Sequence, residues 1–217
     1  MIYSDVRTPL NKNAITPIKI KSIFSYNAST QKFKYTFNID APANINKPKL
    51  NVTFYVLKSE TENGSYREIA RLPVKNISYL RDYPIEFTRG TGYYKVKVEL
   101  QSLSQGANVI SPVYGSVQLF NRTGKAWNFN YVDKVSGKSL PKPPANYSKN
   151  QIHKRPSDLN KQYKTWYDGR YNVNLNLTGY EVHHIRPLAY GGDNSMGNLI
   201  HLNKSYHSNV TAWWSGY

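Results

Sequence analysis

Residues 93–100, YYKVKVEL, decide how the first half of this chain folds. On an extended backbone Tyr94, Val96, Val98 and Leu100 share one face, while Lys95, Lys97 and Glu99 share the other. That period of two marks a half-buried antiparallel strand. Working outward, similar runs rich in Val, Ile, Phe, Tyr and Thr occur as KIKSIFSY (19–26), KFKYTFNI (32–39), LNVTFYVLK (50–58), YREIARL (66–72), YPIEFT (83–88) and VYGSVQLF (113–120). Turn residues separate them. Six or seven short strands at this spacing predict a sandwich or barrel.

The chain has 217 residues, enough for two small domains. Its formal net charge is +16, with 20 Lys+Arg against 9 Asp+Glu in residues 1–140 and 9 against 4 in residues 141–217. The excess covers both parts. Such a balance favours polyanionic partners, because Lys and Arg release condensed counterions when they neutralise phosphates. There is no cysteine, so thiolate metal sites and disulfides are excluded and a metal would need nitrogen and oxygen ligands. Residues 1–30 lack the continuous apolar core of a signal peptide, and no stretch approaches the roughly 20 apolar residues of a membrane span. Export, if it occurs, is expected to use another route.

Gly124, Gly137, Pro141, Pro143 and Pro144 punctuate residues 121–149, which read as a linker. Trp127, Phe129 and Tyr131 alternate within it and suit a short docked strand. Beyond it, Ser157 is a candidate N-cap for a helix running to about Tyr167, with Leu159, Tyr163, Trp166 and Tyr167 near one face. The expected division is a β-sandwich accessory domain at 1–120, a linker at 121–149 and a second domain at 150–217.

The stretch GTGYYKVKVELQ followed by SPVYGSVQLF resembles the last two strands of fibronectin type III and immunoglobulin-like sandwiches. That resemblance implies a presenting or binding role for the first domain, which contains no histidine.

Residues 179–217, GYEVHHIRPLAYGGDNSMGNLIHLNKSYHSNVTAWWSGY, hold four of the five histidines. Tyr180–Arg186 and Asn198–Leu202 read as strands and Lys204–Trp213 as a helix. Between the strands, the glycines and Asp/Asn residues of AYGGDNSMG suit a loop that needs positive φ. Pro187 ends the first ladder, and Asn203 can cap the helix. On a regular strand His183 and His184 would face opposite ways, so they can share a site only where the strand distorts.

The pair His183 and His184, then Asn198 and His207, resembles the His-Asn-His (HNH) nuclease motif. The resemblance implies a fold class of α+β: an immunoglobulin/fibronectin-like sandwich followed by a small ββα-metal nuclease domain. It implies His183 and His207 as metal ligands, His184 as the general base and Asn198 as the residue that braces the loop and helps fix the base. Glu181 and Thr211 would stand behind the metal ligands. Thr211 occupies the position where toxin-type, colicin-like members carry a further histidine, which puts metal preference in doubt. Arg186 would assist catalysis at the phosphate, with Arg170, Lys204 and Arg155 as further phosphate contacts. His153 and His201 read as structural or exposed, and Trp213 and Trp214 as core.

The resemblance further implies one divalent metal ion, Mg²⁺ or Mn²⁺ ahead of Ni²⁺ or Zn²⁺, since two protein ligands leave room for oxygen ligands. The expected activity is metal-dependent hydrolysis of DNA with little sequence preference, RNA being an alternative substrate. The expected setting is an antibacterial toxin, secreted or delivered into target cells and held in check by an acidic immunity protein, with an unknown ligand or delivery partner for the sandwich. Two alternatives accompany it. One is an intracellular phage or mobile-element nuclease. The other is a binding or presentation protein whose C-terminal part is catalytically impaired.

Overall fold

The computed structural model describes residues 3–4, 18–41, 47–103 and 109–217. It divides into two compact units, Met1–Ala126 and Trp127–Tyr217.

In the first unit the strands are β1 (Tyr3–Ser4), β2 (Lys19–Asn27), β3 (Lys32–Asp40), β4 (Leu50–Ser59), β5 (Arg67–Val74), β6 (Asp82–Thr88), β7 (Gly92–Ser102), β8 (Val109–Tyr114) and β9 (Gln118–Phe120). One sheet has the order β1-β2-β3-β6. The other has the order β5-β4-β7-β8, with β9 also paired to β7. All these pairings are antiparallel. Strands β3, β4, β6 and β7 contribute alternate side chains to one core, joined by Ile20 of β2 and Phe120 of β9. On β7 the residues Tyr94, Val96, Val98 and Leu100 are buried, in one cluster with Phe54 of β4 and with Phe33, Phe37, Ile39, Ile85 and Phe87 of the other sheet. Rings from the two sheets touch directly, as where Phe37 stacks on Phe54 with centroids 4.6 Å apart. The packing is that of a sandwich, whose two inner faces interdigitate.

In the second unit helix α1 spans Leu159–Tyr171. Strands β10 (Tyr180–His184) and β11 (Leu199–Asn203) pair antiparallel, and helix α2 spans Lys204–Trp214. The N-cap of α1 is Asp158 and not Ser157. Asn203 caps α2, its side chain accepting from Tyr206 N at 2.9 Å. Leu159, Tyr163 and Tyr167 of α1 pack against Val182 and Leu199 of the hairpin.

Residues 127–149, read as linker, lie within this second unit. Trp127 is buried edge-on against Trp213, with centroids 4.7 Å apart. The Tyr206 hydroxyl accepts from the backbone N–H groups of Asn130 and Tyr131. Asp133 is buried and accepts from Tyr167 Oη at 2.6 Å and from Ser136, with His201 Nε2 3.7 Å away. Burial alone would raise the Asp133 pKa, but the hydrogen bonds from Ser136 and Tyr167 outweigh it and hold the carboxyl below its usual range. Lys138 Nζ donates to the carbonyls of Met196, Gly197 and Leu199 at 2.7, 3.1 and 2.9 Å.

These observations correct the fold class. The expected α+β chain is mainly β: among the described residues there are eleven strands against two α-helices of 13 and 11 residues. The physical reason lies in residues 127–158. Their prolines and glycines suit turns and extended backbone, which side-chain hydrogen bonds staple in place of helical ones.

Candidate functional site

The β10–β11 hairpin and α2 bring three histidines to one cavity of about 250 Å³, lined by Arg155, Val182, His183, His184, Pro187, Leu188, His207, Thr211 and Trp214. His183 pairs with Ile200 and His184 with Leu199 in the hairpin ladder, where neighbouring residues should face opposite ways. Both nevertheless line the cavity, because His184 is the last residue of β10 and Pro187 follows three residues later.

His183 and His207 have ring centroids 5.1 Å apart at an interplanar angle of 80°. His183 is buried, and its Nε2 has no hydrogen-bond partner. An orphaned buried nitrogen calls for an explanation, and a bound ion is one. The spacing fits that account: with nitrogen–metal distances of about 2.1 Å, two imidazoles on one ion place their centroids about 5 Å apart. Burial, aided by His207, His184 and Arg155, pushes the His183 pKa down to about 3, so the ring is neutral and keeps its lone pair at physiological pH. Burial lowers His207 as well, opposed by the Glu181 carboxylate and assisted by Arg155. Among the described residues no group of three or more His, Cys, Asp or Glu converges as a metal cage. A metal here would have two protein ligands and take the rest from its ligand and solvent.

His184 is fixed by a residue outside the expected set. Asn194 Nδ2 donates to Lys154 O at 2.8 Å, which turns Oδ1 toward His184 Nε2 at 2.9 Å. Nε2 must then be the donor, leaving Nδ1 as the acceptor of a neutral ring. Burial lowers the His184 pKa, and the Asn194 hydrogen bond partly opposes it.

Asn198 performs one of the two tasks the resemblance implies, bracing the loop, and not the other. Its Oδ1 accepts from Arg186 N at 2.8 Å, and its Nδ2 donates to Arg186 O at 3.0 Å and Asp193 O at 2.8 Å. It closes the loop and does not touch the imidazole. Arg186 also departs from expectation: Nε donates to Tyr190 O at 2.7 Å and the guanidinium lies over the Tyr147 ring at 4.4 Å, outside the cavity wall. Arg170 sits exposed in the last turn of α1, and Lys204 is exposed at the start of α2. Neither lines the cavity. Arg155 and Thr211 do line it. His201 is structural, its Nδ1 3.1 Å from the Tyr163 hydroxyl, and Trp213 and Trp214 are buried.

Asn194 and Lys138 went unnoticed in the sequence. An asparagine in a glycine-rich loop reads as a turn former, and a lysine in a proline-rich segment reads as solvated. The sequence carried no signal for either partner.

No family model matches the chain, and no curated protein matches it. Among solved structures it is similar to a DUF3823 family protein from Bacteroides ovatus, at 15% identity and a TM-score of 0.33 over 52% of this chain and 69% of that one. It is also similar to a domain of the outer membrane lipoprotein Omp28 from Porphyromonas gingivalis, at 20% identity and a TM-score of 0.33 over 54% of this chain and 96% of that one. These findings correct the recognition drawn from the sequence. Membership of the HNH nuclease family is withdrawn, and with it the DNA-cleaving antibacterial toxin and the mobile-element nuclease. The physical reason is that four residues between positions 183 and 207 carried the whole assignment, and a local constellation does not fix a family or an activity. Among the described residues no helix is long and apolar enough to cross a membrane.

Proposed function

We propose that this chain is a binding and presentation protein, in which the sandwich presents the second unit and the histidine cavity holds a divalent metal that receives an anionic ligand. The observation that carries the reading is the unpartnered, buried His183 Nε2 beside the His207 ring. His183 and His207 would hold the ion, and the ion would supply a fixed positive charge at the cavity wall. With only two imidazoles, Mn²⁺ and Mg²⁺ suit the site better than Zn²⁺, which commonly takes three or four protein ligands. The net charge of +16 supports an anionic partner, such as a nucleic acid or an acidic protein surface. We place this role at the cell envelope or outside the cell, a setting where sandwich domains are common.

The test is calorimetric titration of the EDTA-stripped protein with Mn²⁺, Mg²⁺, Ni²⁺ and Zn²⁺, beside His183→Ala and His207→Ala. One ion should bind the parent chain, and each substitution should weaken it at least tenfold. Equal binding by all three proteins would sink the reading.

A second reading rests on His184. A neutral imidazole with Nε2 committed to Asn194 presents Nδ1 as a proton acceptor in the same wall, which is the requirement for a general base in metal-dependent hydrolysis of a phosphate ester. Turnover of bis(p-nitrophenyl) phosphate with Mn²⁺, lost in His184→Ala, would support it. No turnover by either protein would leave binding as the function.

A further inference from the structure

We propose that the outer face of the β5-β4-β7-β8 sheet binds an acidic polysaccharide, of the kind in which charged and neutral sugars alternate. The site lies in the first unit, so it is independent of the histidine cavity and of the metal reading. The strand registers build it. Arg71 of β5 stands opposite Tyr55 of β4, Tyr55 opposite Lys97 of β7, and Lys97 opposite Tyr114 of β8. Residues directly opposite one another share a face of the sheet. That face is the solvent one, because Phe54 and Val56 on either side of Tyr55, and Val96 and Val98 on either side of Lys97, are buried in the core. Cation and aromatic ring therefore alternate across four strands, with like groups two strand spacings, about 9.6 Å, apart. The strip is open at both ends: the Arg71 side chain is 65% exposed and Tyr114 51% exposed.

Its middle is held in place. Glu99 accepts from Lys97 Nζ and from Tyr55 Oη, each at 2.6 Å, and the Lys97 ammonium lies over the Tyr55 ring at 4.4 Å. Lys95, two residues away on the same face, is the anchor. Its ammonium sits 4.0 and 5.3 Å from the ring centroids of Tyr66 and Tyr114, and among the described residues no carboxylate stands within ion-pair distance of it. A cation–π contact positions an ammonium without cancelling its charge, so Lys95 is ready for an anion. The exposed Tyr114 ring beside it suits the C–H face of a sugar, since the negative face of an aromatic ring attracts polarised C–H groups. An acidic polysaccharide carries sugar faces and anionic groups along one line, which matches tyrosines and cations alternating along one strip. A single-stranded nucleic acid needs a basic groove for its backbone beside a platform for its bases. Here Glu68 and Glu99 flank the strip instead, beside Arg71 and Lys97, and they repel a polymer charged at every unit.

The experiment titrates the full chain in a calorimeter with a hyaluronate octasaccharide, in which glucuronate alternates with a neutral N-acetylated sugar. A neutral cello-oligosaccharide of the same length and oligothymidylate are run beside it, with EDTA in every buffer so that bound metal plays no part. Lys95→Gln and Tyr114→Ala should each weaken hyaluronate binding about fivefold, the loss of one exposed charge or ring contact. Lys19→Gln, the same loss of charge at an exposed position on β2 of the other sheet, should bind as the parent does. Near-ultraviolet circular dichroism checks that each variant is folded, and if one of the two is not, the other decides alone. The proposal is overturned if the parent does not bind hyaluronate, or if a folded Lys95→Gln or Tyr114→Ala binds it as the parent does. Equal weakening in Lys19→Gln overturns it in favour of net charge without a site. Equal affinity for the neutral oligosaccharide overturns the acidic assignment. Tighter binding of oligothymidylate, weakened by the same two substitutions, overturns it in favour of a nucleic-acid surface.

Discussion

The sharpest quantitative consequence of the structure is that His183 makes the second unit acid-labile. Burial and the neighbouring His207, His184 and Arg155 hold its pKa at about 3, against 6.5 for an exposed imidazole. The sign follows from which state takes up the proton. Well above pH 6.5 the ring is neutral in both states and costs nothing. As the pH falls from 6.5 toward 3, the unfolded chain binds a proton that the folded chain refuses, so stability is lost through that window. Between pH 8 and pH 5 this one ring should remove about 2 kcal/mol, a figure that barely depends on whether the folded pKa is 3 or 4. All four tryptophans, at 127, 166, 213 and 214, belong to the second unit, so their fluorescence follows its unfolding selectively. With a urea dependence of about 1 kcal/mol per molar for a unit of this size, the midpoint should move by about 2 M between the two pH values because of His183. The comparison is His183→Gln, in which that share of the pH dependence is missing while His184, His201 and His207 still contribute theirs. EDTA in every buffer removes stabilisation by bound metal. If the parent and His183→Gln lose the same stability from pH 8 to pH 5, the imidazole is not buried in the way described, and its lone pair is not reserved for a ligand.

Three further outcomes follow from single contacts, each read as a urea midpoint by tryptophan fluorescence at pH 8. Asn198→Ala removes hydrogen bonds to Arg186 N, Arg186 O and Asp193 O and should cost about 2 kcal/mol; Asn198→Asp should recover less than half, because a carboxylate cannot donate to the two carbonyls. Gly192→Ala should cost about 3 kcal/mol or prevent folding of the second unit, since its Cβ would lie 1.9 Å from Arg186 O, whereas Gly197→Ala, with its nearest neighbour Ser195 Oγ at 3.7 Å, should change stability by less than about 0.5 kcal/mol. Lys138→Met strips three backbone carbonyls of their shared donor and should cost about 2 to 3 kcal/mol. Equal stability of Lys138→Met and the parent would mean that the 127–140 segment does not support the hairpin.

Much of the strand layout was legible because burial on one face writes itself into the sequence. Lys95, Lys97 and Glu99 alternate with Val96, Val98 and Leu100 on β7, and the structure buries the second set and not the first. The same alternation marks Phe33, Tyr35, Phe37 and Ile39 on β3. Residues 127–149 were opaque for the opposite reason. Their partners are far away in sequence: Tyr206 for the backbone at 130 and 131, Tyr167 and His201 for Asp133, and the 196–199 carbonyls for Lys138. No periodic pattern announces contacts of that kind, and proline and glycine in the segment point toward a linker. A lysine surrounded by carbonyls and a lysine in water are the same letter.

The histidine pair shows where the limit falls at the site. His183 and His207 could be matched by spacing, because a hairpin followed at once by a capped helix brings the two positions together. The partner of His184 could not, and valence explains the error. An asparagine amide has two hydrogens to donate, and Asn198 spends both on Arg186 O and Asp193 O while its oxygen takes the Arg186 N–H. It has no hydrogen left for a ring nitrogen, and its oxygen is committed to the backbone. The imidazole therefore needs another amide, and Asn194, pinned at its far end by Lys154 O, supplies one whose oxygen is free to face Nε2. Two asparagines four positions apart divide the work, one shaping the loop and one setting the tautomer. Removing Asn194 should release the ring without opening the loop, and removing Asn198 should do the reverse.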